Sequence, residues 1–110
     1  MNSKSPSAQV KDIEGQVNLI LRRLDMDQVP EKGRRALNEL KQSLGFAKTY
    51  TQDYELSEMR QEQLDNAKKA KKKLNNARTQ VLRASEFDVF GAIDVAQLSA
   101  EIETVIVDLK

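Results

Sequence analysis

The chain has 110 residues, of which 39% are hydrophobic, 32% are charged and 5% are aromatic, and this length fits one domain, residues 1–110. It contains neither cysteine nor histidine, which excludes disulfides, thiolate metal sites, a cysteine nucleophile and a histidine base. The 18 basic residues nearly balance the 17 acidic ones, for a net charge of +1. A strongly basic nucleic-acid protein and an acidic disordered chain are therefore both poor descriptions of the whole sequence.

The first predicted helix starts at Ser5 and Pro6, because serine caps free backbone N–H groups and proline suits the first helical position. Its apolar residues recur three and four apart, which is the spacing of one helix face. They are Val10, Ile13, Val17, Ile20 and Leu24. We expect residues 1–5 to be disordered and residues 25–29 to connect this helix to the next.

The second predicted helix begins between Asp27 and Pro30 and ends in a turn at residues 53–57. Its apolar face repeats at Leu37, Leu40, Leu44 and Ala47. Gly45 has two interpretations, a left-handed C-cap that ends the helix or a position where another helix approaches closely. Because apolar stripes align on both sides of Gly45, we predict a continuous helix.

The third predicted helix is long, residues 57–86, and its inward face is rich in alanine. That face consists of Gln63, Ala67, Ala70, Leu74, Ala77, Val81 and Ala84. Small residues let helix axes approach closely, although each buries little area. Asn75 and Asn76 are poor helix formers and predict a bend in the middle of the helix.

A corner at residues 85–91 carries Phe87 and Phe90 and leads into the fourth predicted helix. There Asp94 is the predicted N-cap, with Gln97 as its capping-box partner. The apolar face of this helix is Val95, Leu98, Ile102, Val105 and Leu109. Because valine and isoleucine disfavour helix slightly, we expect this segment to depend on packing.

Four helical segments joined by short connections predict an all-α protein, an antiparallel up-down bundle of four helices. A three-helix bundle with long helices is the alternative. Residues 61–83 carry a net charge of +5 and residues 84–110 a net charge of −5. Neighbouring third and fourth helices would bring these charges together, with Arg78 near the level of Glu101 and the lysines near Asp108.

The sequence predicts a protein without a membrane span. No stretch approaches the ~20 apolar residues that a transmembrane helix requires. The N-terminus also lacks the apolar run of about 7–15 residues that a signal peptide needs. We expect a cytoplasmic location, with secretion by a route that uses no cleaved signal as the alternative.

The residues for common catalytic and cofactor sites are missing. The chain has no Gly-x-x-x-x-Gly-Lys loop and no Gly-x-Gly-x-x-Gly turn for phosphates. A di-metal carboxylate bundle needs Glu-x-x-His pairs, which a chain without histidine cannot supply. Glu101 and Glu103 are two residues apart on a helix, so their carboxylates diverge. We expect a non-enzymatic protein that uses no metal and no cofactor.

Two apolar surfaces are candidates for binding a protein partner. Phe46, Tyr50 and Tyr54 form an aromatic stripe of the kind that anchors partners. Helical spacing predicts burial equally well, and we favour burial, with the aromatic side chains closing the ends of the bundle. Ile106 and Val107 widen the apolar side of the fourth helix, either to dock a partner helix or because this helix is buried at the centre of the monomer. The main prediction is action through protein–protein contact, and a homodimer is favoured because a second chain would cover the alanine-rich helix.

The second functional hypothesis is the binding of a polyanion, DNA, RNA or an acidic partner, on the basic face of the third helix. Its residues are Lys68, Lys69, Lys71, Lys72, Lys73, Arg78 and Arg83. The lysine run contains no interleaved aromatic residue on which a base could stack. A solvated helix face is the simpler interpretation, so we rank nucleic acid below a protein partner.

Overall fold

The computed structural model describes residues 4–109. These residues contain four α-helices and no strand, and each helix packs against the next while the fourth returns to the first. The helices are α1 (Pro6–Arg22), α2 (Glu31–Leu56), α3 (Arg60–Ser85) and α4 (Ala92–Asp108), with one 3-10 turn at Met26–Gln28. The predicted four-helix bundle is confirmed, and the three-helix alternative is wrong.

The first helix begins where its sequence predicts. Ser5 is the N-cap and its side chain accepts a hydrogen bond from the backbone N–H of Ala8, while Pro6 occupies the first turn. The predicted apolar face is buried at its centre. Of the segment predicted to be disordered, residues 1–3 lie outside the described part of the chain.

Two glycines of α2 lie in opposite environments. Gly45 lies inside a continuous helix, as predicted, and apart from its chain neighbours and the backbone of its own helix no described atom is within 4 Å of the position that a Cβ would take. A Cβ on Gly33 would instead lie 2.9 Å from Cγ1 of Val29 and 3.1 Å from Cβ of Phe87. The close approach that the sequence suggested for Gly45 therefore occurs at Gly33, where the α3–α4 corner packs on α2.

The third helix packs along α2 through its small residues. The predicted inward residues are buried from Ala67 to Ala84, and Gln63 is partly buried. The helix begins at Arg60, three residues later than predicted, and it continues without a break through Asn75 and Asn76. Asn76 donates a hydrogen bond to Oγ of Ser43 on α2, so this polar residue links the two helices.

The start of α4 differs from the prediction. Gly91 is the N-cap, and Asp94 lies three residues later, where its carboxylate accepts the backbone N–H of Gly91 at 3.3 Å. Asp94 therefore supports the first turn from within the helix, because a carboxylate at this position also satisfies a free N–H group. Gln97 donates to Gln16 of α1. The prediction that these two residues form the capping box is wrong by one turn.

The acidic side chains of α4 divide between its two neighbours. Arg78 of α3 pairs with Glu103 rather than with the expected Glu101. Glu101 turns to α1, where it accepts a hydrogen bond from Gln16 at 2.6 Å. Asp108 also faces α1 and accepts from Gln9 at 2.9 Å, rather than meeting the lysines of α3.

The long helices α2 and α3 set the shape of the molecule, which measures 47 × 27 × 18 Å. Each has 26 residues, compared with 17 in α1 and in α4. At 1.5 Å per residue the long pair spans about 39 Å and the short pair about 25 Å. Within residues 4–109, no helix combines the length and hydropathy that crossing a membrane requires.

A candidate binding surface on helices α2 and α3

The aromatic stripe of α2 lies at the edge of the buried side of the helix. Phe46 and Tyr50 each precede a buried residue, Ala47 and Thr51. This one-residue offset turns Phe46 out of the core, so that half of it (50%) is exposed, while Tyr50 and Tyr54 are partly buried against the core. The expectation that the aromatic stripe is buried is therefore wrong for Phe46, which is a surface residue and does not close an end of the bundle.

The lysine run of α3 meets this stripe across the helix pair. Nζ of Lys73 lies 4.8 Å from the ring centroid of Phe46, and Nζ of Lys69 lies 5.8 Å from the ring centroid of Tyr50. The two rings stack with their centroids 6.4 Å apart. Because α2 and α3 are antiparallel, the step of one turn forward from Phe46 to Tyr50 corresponds to a step of one turn back from Lys73 to Lys69. A single alignment of the two helices therefore produces both contacts.

The two cation–π contacts lie side by side and help to hold α3 against α2. The surface that they form is open to solvent. Contacts of this kind contribute about 0.5–1 kcal/mol each at exposed sites. Lys68 and Lys72 stand beside them on the outer side of α3 and are exposed. We call these six residues the aromatic–lysine surface: Phe46, Tyr50, Lys68, Lys69, Lys72 and Lys73.

The other basic residues of the predicted polyanion site lie elsewhere. Arg78 pairs with Glu103 of α4. Lys71 is two turns before Arg78 and therefore lies on the same side of α3. Arg83 lines a shallow depression together with Glu39 and Gln80 at the far end of the helix pair. The predicted seven-residue basic face is thus divided, with Lys71 and Arg78 on another side of α3 and Arg83 at its far end.

Carboxylates limit the basic region at both ends. Glu39 of α2 accepts hydrogen bonds from Asn76 and Gln80 of α3, just beyond Lys73. Asp65 and Glu62 precede Lys68 on α3 and are exposed. From Lys68 to Lys73 the helix rises only about 8 Å. The positive surface is therefore short and has acidic ends.

The second predicted surface, on α4, is only partly exposed. Val107 is exposed, but Ile106 packs partly against the core. Ile93, the most exposed large apolar side chain of α4, was not predicted as a candidate. Nor were Leu56 and Met59, which are exposed at the turn between α2 and α3. For Ile93 a signal existed, because it begins a second row of residues spaced three and four apart.

No described group of three acidic side chains could hold a metal ion. Comparison of the chain with protein-family models, with curated proteins and with solved structures gives no match.

Proposed function

We propose that this protein is a non-enzymatic binding protein whose aromatic–lysine surface takes an acidic segment of a partner protein. The observation that carries this proposal is the placement of Lys69 and Lys73 over the rings of Tyr50 and Phe46. Ammonium groups offer hydrogen bonds to carboxylates, and the exposed half of Phe46 offers an apolar contact. A partner segment with carboxylates and an apolar side chain would therefore bind through both kinds of contact.

The spacing of the lysines suits a helical partner. Lys68 and Lys72 are one turn apart, and so are Lys69 and Lys73, which places each pair about 6 Å apart along α3. An acidic helix with carboxylates at positions i and i+4 presents charges at the same interval. Such a helix would also carry an apolar residue on the same face to cover Phe46.

The short length of the basic surface favours a protein over a nucleic acid. Phosphates repeat along a strand, so nucleic-acid affinity grows with the length of the basic track. Here Glu39 and Asp65 would meet the backbone of any strand that continued beyond the lysines. Lysine ammonium groups also cover one side of the rings, where a base would otherwise stack.

Nucleic acid is the second candidate, because the structure supplies what the lysine run lacks in sequence. Two aromatic rings adjoin the lysines although none is interleaved among them along the chain. Lysines beside aromatic rings form the combination that binds single strands without sequence preference. The same protein variants can test both candidates.

The test uses the double variant Lys69→Gln/Lys73→Gln with Lys32→Gln/Lys41→Gln as a control of equal charge on α2. The probe is a labelled amphipathic peptide of about 20 residues with glutamates four apart and leucines on the same face. We expect the peptide to bind the wild type and the control, and to bind the Lys69/Lys73 variant about tenfold more weakly, a loss of ~1.4 kcal/mol. Fluorescence anisotropy measures the affinity.

A single-stranded oligonucleotide of about 20 nucleotides serves as the competing probe. Tighter binding of the oligonucleotide than of the peptide, lost in the Lys69/Lys73 variant, would replace the proposal with the nucleic-acid candidate. If neither probe distinguishes that variant from the control, the aromatic–lysine surface is not the binding site.

A further inference from the structure

The outer side of α4 is apolar although it faces solvent. Ile93 near the start of the helix is 82% exposed and Val107 near its end is 58% exposed. Between them the outward positions step by three and four, on the side opposite the buried face. We call this set the outer row of α4: Ile93, Ala96, Ala100, Glu103 and Val107. A helix with one apolar row on its buried face and another on its outer side can pack against a neighbour on each side.

A groove of about 790 Å³ runs beside this row, between α1 and α4. Gly15 contributes no side chain to it, and Leu19, which is 53% exposed, adds a further apolar contact. Thr104 lines the α4 side of the groove. Most of the other side chains that line the groove are polar, among them Lys11, Arg22 and Glu101, so it adds charged groups beside the apolar outer row.

We infer that a second copy of this chain packs on the outer row, with the two α4 helices antiparallel about Ala100. Ile93 and Val107 are each seven residues from Ala100, so in this register Ile93 of each copy lies opposite Val107 of the other. Ala96 and Ala100 occupy the centre, where small side chains allow the two helix axes to approach. The arrangement is isologous and closes as a dimer.

The charges of α1 and α4 complement one another in this register. Hydrogen bonds from Gln16 to Glu101 and from Gln9 to Asp108 fix the relative levels of the two helices in one copy. At those levels Lys11 of one copy is level with Asp94 of the other. Arg22, at the end of α1, falls between the levels of Glu103 and Asp108 of the second copy.

The outer row is also compatible with close contact between two acidic helices. Its one charged member is Glu103, which Arg78 already neutralises within each copy. In the antiparallel register each Glu103 is three residues from Ala100, so the two copies of Glu103 lie about 9 Å apart along the helix axis and do not meet. The self-complementary pattern about Ala100 favours a second copy over an unrelated partner helix.

Solution mass and one substitution test the inference. The monomer mass is 12.5 kDa, and we expect sedimentation at about 100 µM to give twice that value, a concentration chosen for an interface of modest size. Ala100→Glu places two carboxylates against each other at the dimer axis, so this variant should sediment as a monomer. Thr79→Glu, an equal charge on the exposed side of α3, should remain dimeric. Unchanged circular dichroism would show that both variants keep their helices.

Cysteine cross-linking tests the register, since the chain has no cysteine of its own. Ala100→Cys should form a disulfide with itself under mild oxidation, whereas Thr79→Cys should not. Ile93→Cys and Val107→Cys should each fail alone and cross-link when mixed. Self-linking of Ile93→Cys would show a parallel pairing and overturn the register. A monomeric wild type, or a dimer that survives Ala100→Glu, would overturn the inference itself.

Discussion

Two of the surfaces on which the bundle exposes apolar side chains differ in the charges around them. On the α2–α3 side, Phe46 and Tyr50 lie beside Lys73 and Lys69. On the α1–α4 side, Ile93 and Val107 lie in a row whose single charge, Glu103, is paired with Arg78. Exposed apolar area alone therefore does not define a partner. The surrounding charges favour an acidic ligand on the first side and a second copy of the chain on the second.

Substitutions on the buried face of α4 and in its outer row give the largest expected difference in stability. Ile102 is fully buried and Val107 is mostly exposed. Ile102→Ala should lower the free energy of unfolding by about 2–5 kcal/mol, because it removes buried methyl groups and leaves a cavity. Val107→Ala should cost less than about 1 kcal/mol when the protein is dilute enough to be monomeric.

Urea unfolding followed by circular dichroism measures both values. The wild type, at the same dilute concentration, is the reference for each variant. A similar cost for the two substitutions would mean that Val107 belongs to the core of the monomer. It would then be unavailable to a second copy, and the assignment of an outer row would be wrong.

Replacing each of the two glycines of α2 by alanine gives the next largest change in stability, and the two changes have opposite signs. Gly33→Ala should destabilise the protein by about 1–3 kcal/mol, because its Cβ would press on Val29 and Phe87 where both are close to their backbones. Gly45→Ala should stabilise it by about 0.5–1 kcal/mol, because the site is open and alanine favours helix. Thermal unfolding of the two variants beside the wild type checks the sign of each change.

The fold was predictable because each helix repeats its apolar residues at a helical interval. The buried residues of α3 and α4 match the predicted faces with few exceptions, of which Gln63 and Val95 are only partly buried. The glycines were not predictable in the same way. Whether a Cβ fits at Gly33 depends on Phe87, which the fold brings from a distant part of the sequence.

The candidate site was predictable only in pieces. The stripe of Phe46 and Tyr50 and the run with Lys69 and Lys73 are both visible in sequence, but their contact depends on the register of α2 against α3. The predicted turn at residues 53–57 lies nearly one helical turn too early, since α2 continues to Leu56 and α3 begins at Arg60. No glycine or proline marks that boundary. An error in its position shifts the α3 residue that is expected opposite each residue of α2.

Ionic strength should change binding at the two surfaces to different extents, and this effect is smaller than those above. Between about 50 and 300 mM salt, screening of exposed charges shortens the range of their interactions. We expect the affinity for the acidic peptide to fall several-fold, because lysines dominate that surface. The dimer dissociation constant should change less, since apolar contacts make up most of the outer row of α4. Equal salt dependence in anisotropy and sedimentation would contradict the contrast between the two sides.

The smallest effect concerns the ion pair that lies between the two surfaces. Arg78 and Glu103 have side chains 37% and 51% exposed, whereas those of Arg35 and Glu31 are 76% and 70% exposed. Arg78→Gln should cost at most about 1 kcal/mol of unfolding free energy and Arg35→Gln less, because solvent screens exposed pairs. In the dimer Arg78→Gln should have a second consequence, since it leaves Glu103 charged and unpaired in the outer row. Weaker dimerisation of Arg78→Gln than of Arg35→Gln, measured by sedimentation, would show that the pair prepares α4 for its neighbour, whereas equal dimerisation would confine its role to the contact between α3 and α4.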